Sequence, residues 1–307
     1  MDPAQIQMLA TSTLPPLLLA LAVFLPAWWR RRGAAGPIEP ANTDGDPRWA
    51  APIVLGVAGI AVPWLALGAV KLPPKAAAEW IPIFGAVGLV LGLLATRVRF
   101  GAIVRWLVRG LVLLAAAGAP MWRRLAEEST RTDAILWSLG FAAVMALVWW
   151  ALERSVDRTR GAAGPGVLLV FAFGASQVLV LGYYSVSLAQ IAAGLAAALG
   201  VAMVMGLLRP RFTLAFGGVH AVVLVVGPAL LQGMLFGQAT KPVWWFAPAV
   251  LLSPLAALLA DLPVFAKLTG WKAAGLRVGL AAIPMLAGVG LAAATYQFPD
   301  AASEYQY

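Results

Sequence analysis

The chain contains no cysteine, which excludes a disulfide framework, thiolate-held metals and cysteine nucleophiles. Histidine occurs once, at His220, so the side chain whose charge changes most readily near neutral pH is present at a single place. Charge is scarce as well. Only 11% of residues are Asp, Glu, Lys or Arg, against about 25% in a soluble domain. There is no HExxH, no GxSxG, no Gly-rich phosphate loop and no cluster of carboxylates. No cofactor or metal is therefore expected, and no reaction can be assigned from motifs.

What is present is apolar. Hydrophobic residues make up 62% of the chain and the mean hydropathy is +0.86. A water-soluble fold of this composition could not cover its own core, so a lipid bilayer is the expected solvent and partner. A helix needs about 20 apolar residues to cross roughly 30 Å of hydrocarbon. Ten such runs can be read, at 8–29, 50–70, 80–96, 103–122, 133–152, 165–184, 186–208, 212–236, 243–262 and 274–296. The expectation is an all-α, polytopic transmembrane helix bundle forming a single integral membrane domain over 1–307. The longest connection, 30–49, is rich in Gly, Pro and Asp and reads as a loop. No stretch outside the runs is long enough to build a core of its own.

The net charge of +9 is an orientation signal and not a nucleic-acid footprint. With the N-terminus outside, sixteen of the 22 Lys and Arg fall on the inner side and six on the outer side, in accord with the positive-inside rule. Both termini are then expected outside the cytoplasm. The first run is preceded by Asp2 and followed by Arg30, Arg31 and Arg32, the reverse of a secretory leader, so it is expected to stay as a helix. Abundant Ala and Arg over Lys fit a GC-rich bacterial genome, hence a bacterial inner membrane. The fourth run is the weakest. Its clean apolar part, 110–122, is too short to span, and extension to 103 takes in Arg105 and Arg109, which are expected to snorkel to the interface. If it did not cross, the basic count would be twelve to ten, a much poorer pattern. Tryptophans cluster near the proposed ends; Trp64 is the exception and is expected between helices. No convincing inverted repeat is found.

Four polar residues are candidates for a site within the membrane. His220 lies about 12 Å inside the eighth run and could change charge, or could simply bond a neighbouring carbonyl. Gln177 and Gln190 flank the short turn between the sixth and seventh runs; each must be hydrogen-bonded when buried, as interhelical glue or as cavity lining. Asp261 ends the ninth run, within reach of Arg109 or Arg277, and is the one acidic residue expected to reach the bundle. Glu153 and Asp157 read as a solvated charged turn. Spacings of GxxxG at Gly88–Gly92, Gly233–Gly237 and Gly275–Gly279 are expected to pack helices within the bundle, with dimerisation the alternative. Pro248 and Pro254 make the ninth run the best candidate for a broken helix.

Function stays open between three classes. A small-solute permease or channel-like protein leads, and needs converging polar groups. A structural or assembly subunit holding membrane protein partners is second, and needs a solid apolar core. An enzyme acting on a lipid-linked substrate is third.

Overall fold

The computed structural model describes residues 3–29, 47–68, 73–98, 100–209, 211–215, 217–236, 246–265, 267–268 and 270–296; of residues 3–9, 11, 29 and 123 it describes the backbone alone. Among the described residues the regular elements are all helical: α1 (Pro3–Trp29), α2 (Ala50–Leu67), α3 (Ile81–Arg97), α4 (Ala102–Gly118), the single turn α5 (Trp122–Ala126), α6 (Glu128–Asp157), α7 (Ala163–Leu181), α8 (Val186–Leu208), α9 (Gly218–Phe236), α10 (Phe246–Ala257) and α11 (Gly270–Thr295). Eight helical stretches are long and apolar enough to cross a membrane, and Ser12–Trp28 and Phe246–Asp261 are shorter apolar helices. Each of the ten expected runs thus coincides with a helix, as in a multi-pass membrane protein. The doubtful fourth run is continuous: α4 passes through the 3-10 turn Ala119–Met121 into α5.

Successive long helices run antiparallel, which gives the bundle two unlike ends. At one, the cavity end, Leu67, Lys75, Met121, Arg124, Ser185 and Phe236 gather around a cavity. At the other, the arginine end, Arg109 meets Glu153, Asp261 meets both Arg158 and Arg277, and the amide of Gly161 donates to the carbonyl of Phe212 at 2.8 Å.

Helix α9 forms the centre, packed by α2, α3, α4, α6, α7 and α8. Its residues from Gly218 to Gly233 are buried, and between His220 and Gln232 they are all apolar or glycine. Since lipid is as apolar as leucine, close backbone approach supplies the packing energy, and the glycines mark where it happens. A Cβ placed on Gly88 would lie 2.7 Å from Cα of Ala221, so α3 rests directly on α9. At Gly85 an added Cβ would run into the carbonyl of Gly59 on α2. The Gly88–Gly92 pair therefore packs inside the bundle. Gly275 and Gly279 do not: among the described residues nothing lies within 4 Å of a Cβ at either position. Gly237 lies outside the described residues.

Three further expectations are corrected. The eighth run does not begin as a helix at 212. Phe212, Leu214 and Ala215 are buried but non-helical, Thr213 Oγ1 accepts from the amide of Ala215 at 3.0 Å, and Gly217 takes φ +114°, a conformation open to glycine. His220 is consequently only two residues into α9, near the arginine end. Trp64 does not pack between helices; it is 55% exposed. Because α2 stops at Leu67, Trp64 lies within one turn of the helix end and joins the other tryptophans near the interfaces. Arg109 does not snorkel to the surface; it turns into the bundle.

Apart from the single turn α5, helix α10 is the shortest of the labelled helices; it runs unbroken through Pro248 and Pro254, against the break expected there, and gives way to 3-10 turns only at Leu258–Asp261 and Pro263–Phe265. Outward faces carry large apolar side chains, among them Ile103, Leu107 and Leu111 on α4 and Ile283, Leu286 and Leu291 on α11, a surface compatible with lipid contact.

Candidate functional site

Helix α4 buries Arg109, Leu113, Ala116 and Ala117, the i, i+4, i+7, i+8 stripe of one helical face. On α6, Trp149 and Glu153 are one turn apart and share a face. Where the two faces meet, Arg109 Nη1 donates to Glu153 Oε2 at 2.7 Å and Nη2 donates to Oε1. This fork-to-fork geometry is the strongest that an arginine and a carboxylate can adopt. The guanidinium is also held between two indoles, 5.3 Å from the ring centroid of Trp106 and 5.2 Å from that of Trp149. Arg109 is 3% exposed, so its charge is carried by these partners and not by water.

His220 completes the cluster from α9. Its ring stands edge-on to Trp149, 5.1 Å between centroids at 83°, the same indole that lies against Arg109. A carboxylate, Glu153, thus stands one helical turn from the tryptophan that His220 contacts, although Arg109 already occupies it. Arg109 Nε, Trp149 Nε1 and His220 Nδ1 are buried and make no hydrogen bond to the described protein atoms; aromatic contacts take their place.

A second ion-pair group lies at the same end. Asp261 Oδ2 accepts from Arg158 Nη1 at 3.0 Å and Oδ1 accepts from Arg277 Nη2. It links the end of α6, the 3-10 turn after α10, and α11. Of its two anticipated partners, Asp261 takes Arg277; Arg109 is committed elsewhere, and Arg158 fills its place. Asp261 itself stays exposed, and the acidic group that reaches into the bundle is Glu153, half-buried against Arg109.

At the cavity end a space of about 550 Å³ opens between α2, α5, α8, α9 and the segment preceding α3. Gln232 lies at its wall, 2% exposed, and donates from Nε2 to the carbonyl of Ala77 at 3.0 Å. Lys75, Arg124, Tyr184, Ser185 and Ser187 supply further polar groups, and Leu67, Met121, Leu188 and Phe236 supply apolar ones. Ser185 stands at the N-cap of α8, and its side chain does not cap that helix.

Gln177 and Gln190 are half-buried, each about one turn from the cavity end of α7 and α8. The polar link beside them is Ser176, whose hydroxyl donates to the carbonyl of Ala189 at 2.9 Å. Gln232 and His220 are twelve residues apart on α9, roughly 18 Å at the helical rise. His220 is thus at the opposite end of the bundle from the two glutamines, with packed Val and Leu between, and the three do not meet. The groups that sequence reasoning passed over are Arg109 with Glu153, and the lining of the cavity. Depth matching gives a signal for the first: opposite charges at similar depth on helices that neighbour one another. Comparison with protein-family models, curated proteins and solved structures finds no match for the chain.

Proposed function

We propose that the protein is a permease for a small solute in a bacterial inner membrane, with the cavity end and both termini outside the cytoplasm. The observation that carries this reading is the asymmetry of the bundle. One end opens into a cavity lined by amide, hydroxyl and cationic groups, and the other carries the ion pairs Arg109–Glu153 and Arg158–Asp261–Arg277. An arrangement open on one side and latched by ion pairs on the other is what one state of an alternating carrier requires. The orientation is supported by the arginine end carrying most of the basic residues. A second reading, an assembly subunit for membrane protein partners, is supported by the continuous apolar packing of α9 between His220 and Gln232.

The absence of cysteine makes the test clean. A single Ser187→Cys substitution places a thiol in the cavity wall, to be labelled from outside by a membrane-impermeant maleimide. Adding Asp261→Asn removes the negative charge that Arg158 and Arg277 share and turns one of its acceptor oxygens into a donor, which weakens the latch. A carrier should then shift towards its other state, with labelling slowed several-fold and solute flux into proteoliposomes altered. Unchanged labelling together with no flux would favour the assembly subunit.

A further inference from the structure

We infer that the cavity takes a small amphiphilic anion, an anionic group carried on an apolar body. The inference rests on reading the cavity as a solute site and names the class of solute. Two cationic side chains, Lys75 and Arg124, line it, and no carboxylate is among its described lining residues. The nearby Glu79 does not line the cavity. Its carboxylate is turned onto backbone amides, accepting from Lys75 N at 2.6 Å and Ala76 N at 3.3 Å. Arg124 is held over the ring of Phe236, 5.2 Å from the centroid, so its charge is fixed at the wall.

The N-terminus of α8 adds to this field. Ser185, Ser187 and Leu188 all face the cavity, so the first turn of a 23-residue helix opens into it, and the Ser185 side chain makes no capping bond. The first amides of a helix have no intrahelical acceptor and carry the positive end of the dipole. Beside two cations they form a site for negative charge. The remaining wall is apolar, through Leu67, Met121, Leu188 and Phe236, and an inorganic anion would leave that surface unused. An aromatic or short-chain carboxylate satisfies both parts, as would the headgroup of an anionic lipid entering from the adjoining leaflet.

Calorimetric titration of the full chain in neutral detergent tests the assignment, with benzoate as probe and benzamide as its uncharged counterpart. Benzoate is expected to bind at least roughly tenfold more tightly, because a charge-assisted contact is worth about that factor. The Lys75→Gln/Arg124→Gln variant should abolish the preference. Both side chains are exposed, so the fold should persist; a thermal melt matching the parent verifies it. Independently of any variant, benzoate affinity should fall as salt screens the site. Equal binding of benzamide would overturn the anion assignment while leaving a solute site in place. Phosphatidylglycerol that binds where benzoate does not, and is weakened by the variant, would support the anionic site and give it to lipid. Binding of none of the three would overturn both this inference and the permease reading.

Discussion

Replacing Glu153 by Gln keeps the shape of the side chain and removes one charge from the contact with Arg109. Two unit charges ~4 Å apart attract by about 4 kcal/mol at an effective dielectric near ~20. In this protein the arginine is 3% exposed, so water cannot replace the carboxylate. Trp106 and Trp149 stay over the guanidinium and retain a cation–π attraction of about 1–2 kcal/mol. The expected loss is about 3 kcal/mol, the lower part of the range for breaking a buried pair. Replacing both partners, as in Arg109→Leu/Glu153→Leu, should behave differently. It removes the attraction and the burial penalty of both charges together, and stability should return to within about 1 kcal/mol of the parent or exceed it. Unfolding by SDS in mixed micelles measures all three chains. If Glu153→Gln loses under ~1 kcal/mol and the double variant is no better, the pair is screened as surface pairs are, and the account of a dry arginine would be refuted.

Gly85→Ala should disrupt the α2–α3 contact and lower stability by about 1–3 kcal/mol, because its Cβ would meet the Gly59 carbonyl. Gly275→Ala, with open space around it, should be neutral or stabilise by up to about 1 kcal/mol; the same unfolding assay compares them, and equal effects would contradict the packing. His220→Phe preserves a ring against Trp149 and should leave thermal stability nearly unchanged, since a polar contact within a membrane averages ~0.6 kcal/mol; a large loss would mean that the imidazole bonds more than the structure shows. A reporter fused after Tyr307 should be active only if it needs the non-cytoplasmic side, and activity confined to a cytoplasmic reporter would reverse the proposed orientation.

The helices were legible because the bilayer imposes a length. A run of about 20 apolar residues bounded by charge or Pro/Gly is a statement about thickness. It placed α7 and α8 to within a few residues, close to the uncertainty that fraying gives any helix end. The start of α9 was not legible, because Phe212, Leu214 and Ala215 are as apolar as a helix and only the conformation of Gly217 ends the run. Which face of a helix turns inward was legible even less. Hydropathy is uniform around most of these helices, since lipid and core accept the same side chains. Arg109 read as a snorkelling charge because nothing on α4 announces that Glu153, 44 residues later, will stand opposite it. Gln232 was missed for a similar reason: its partner is the carbonyl of Ala77, and a backbone acceptor leaves no trace in composition.

The inward turn of Arg109 also bears on how the chain enters its membrane. Helix α4 carries Arg105 and Arg109, and an arginine deep in an isolated helix costs about 2.5–3.5 kcal/mol to insert. The partner that offsets this cost lies near the far end of α6 and is synthesised later. Among the described residues helix α4 packs chiefly on α6, with a smaller contact to α9, so the main shelter for its charge comes from a helix synthesised later. The two are joined through the short turn of α5, which suits entry as a pair. A hairpin of α4 and α6 is then the expected unit of membrane insertion at that point, since Arg109 gains its partner only once Glu153 has been synthesised.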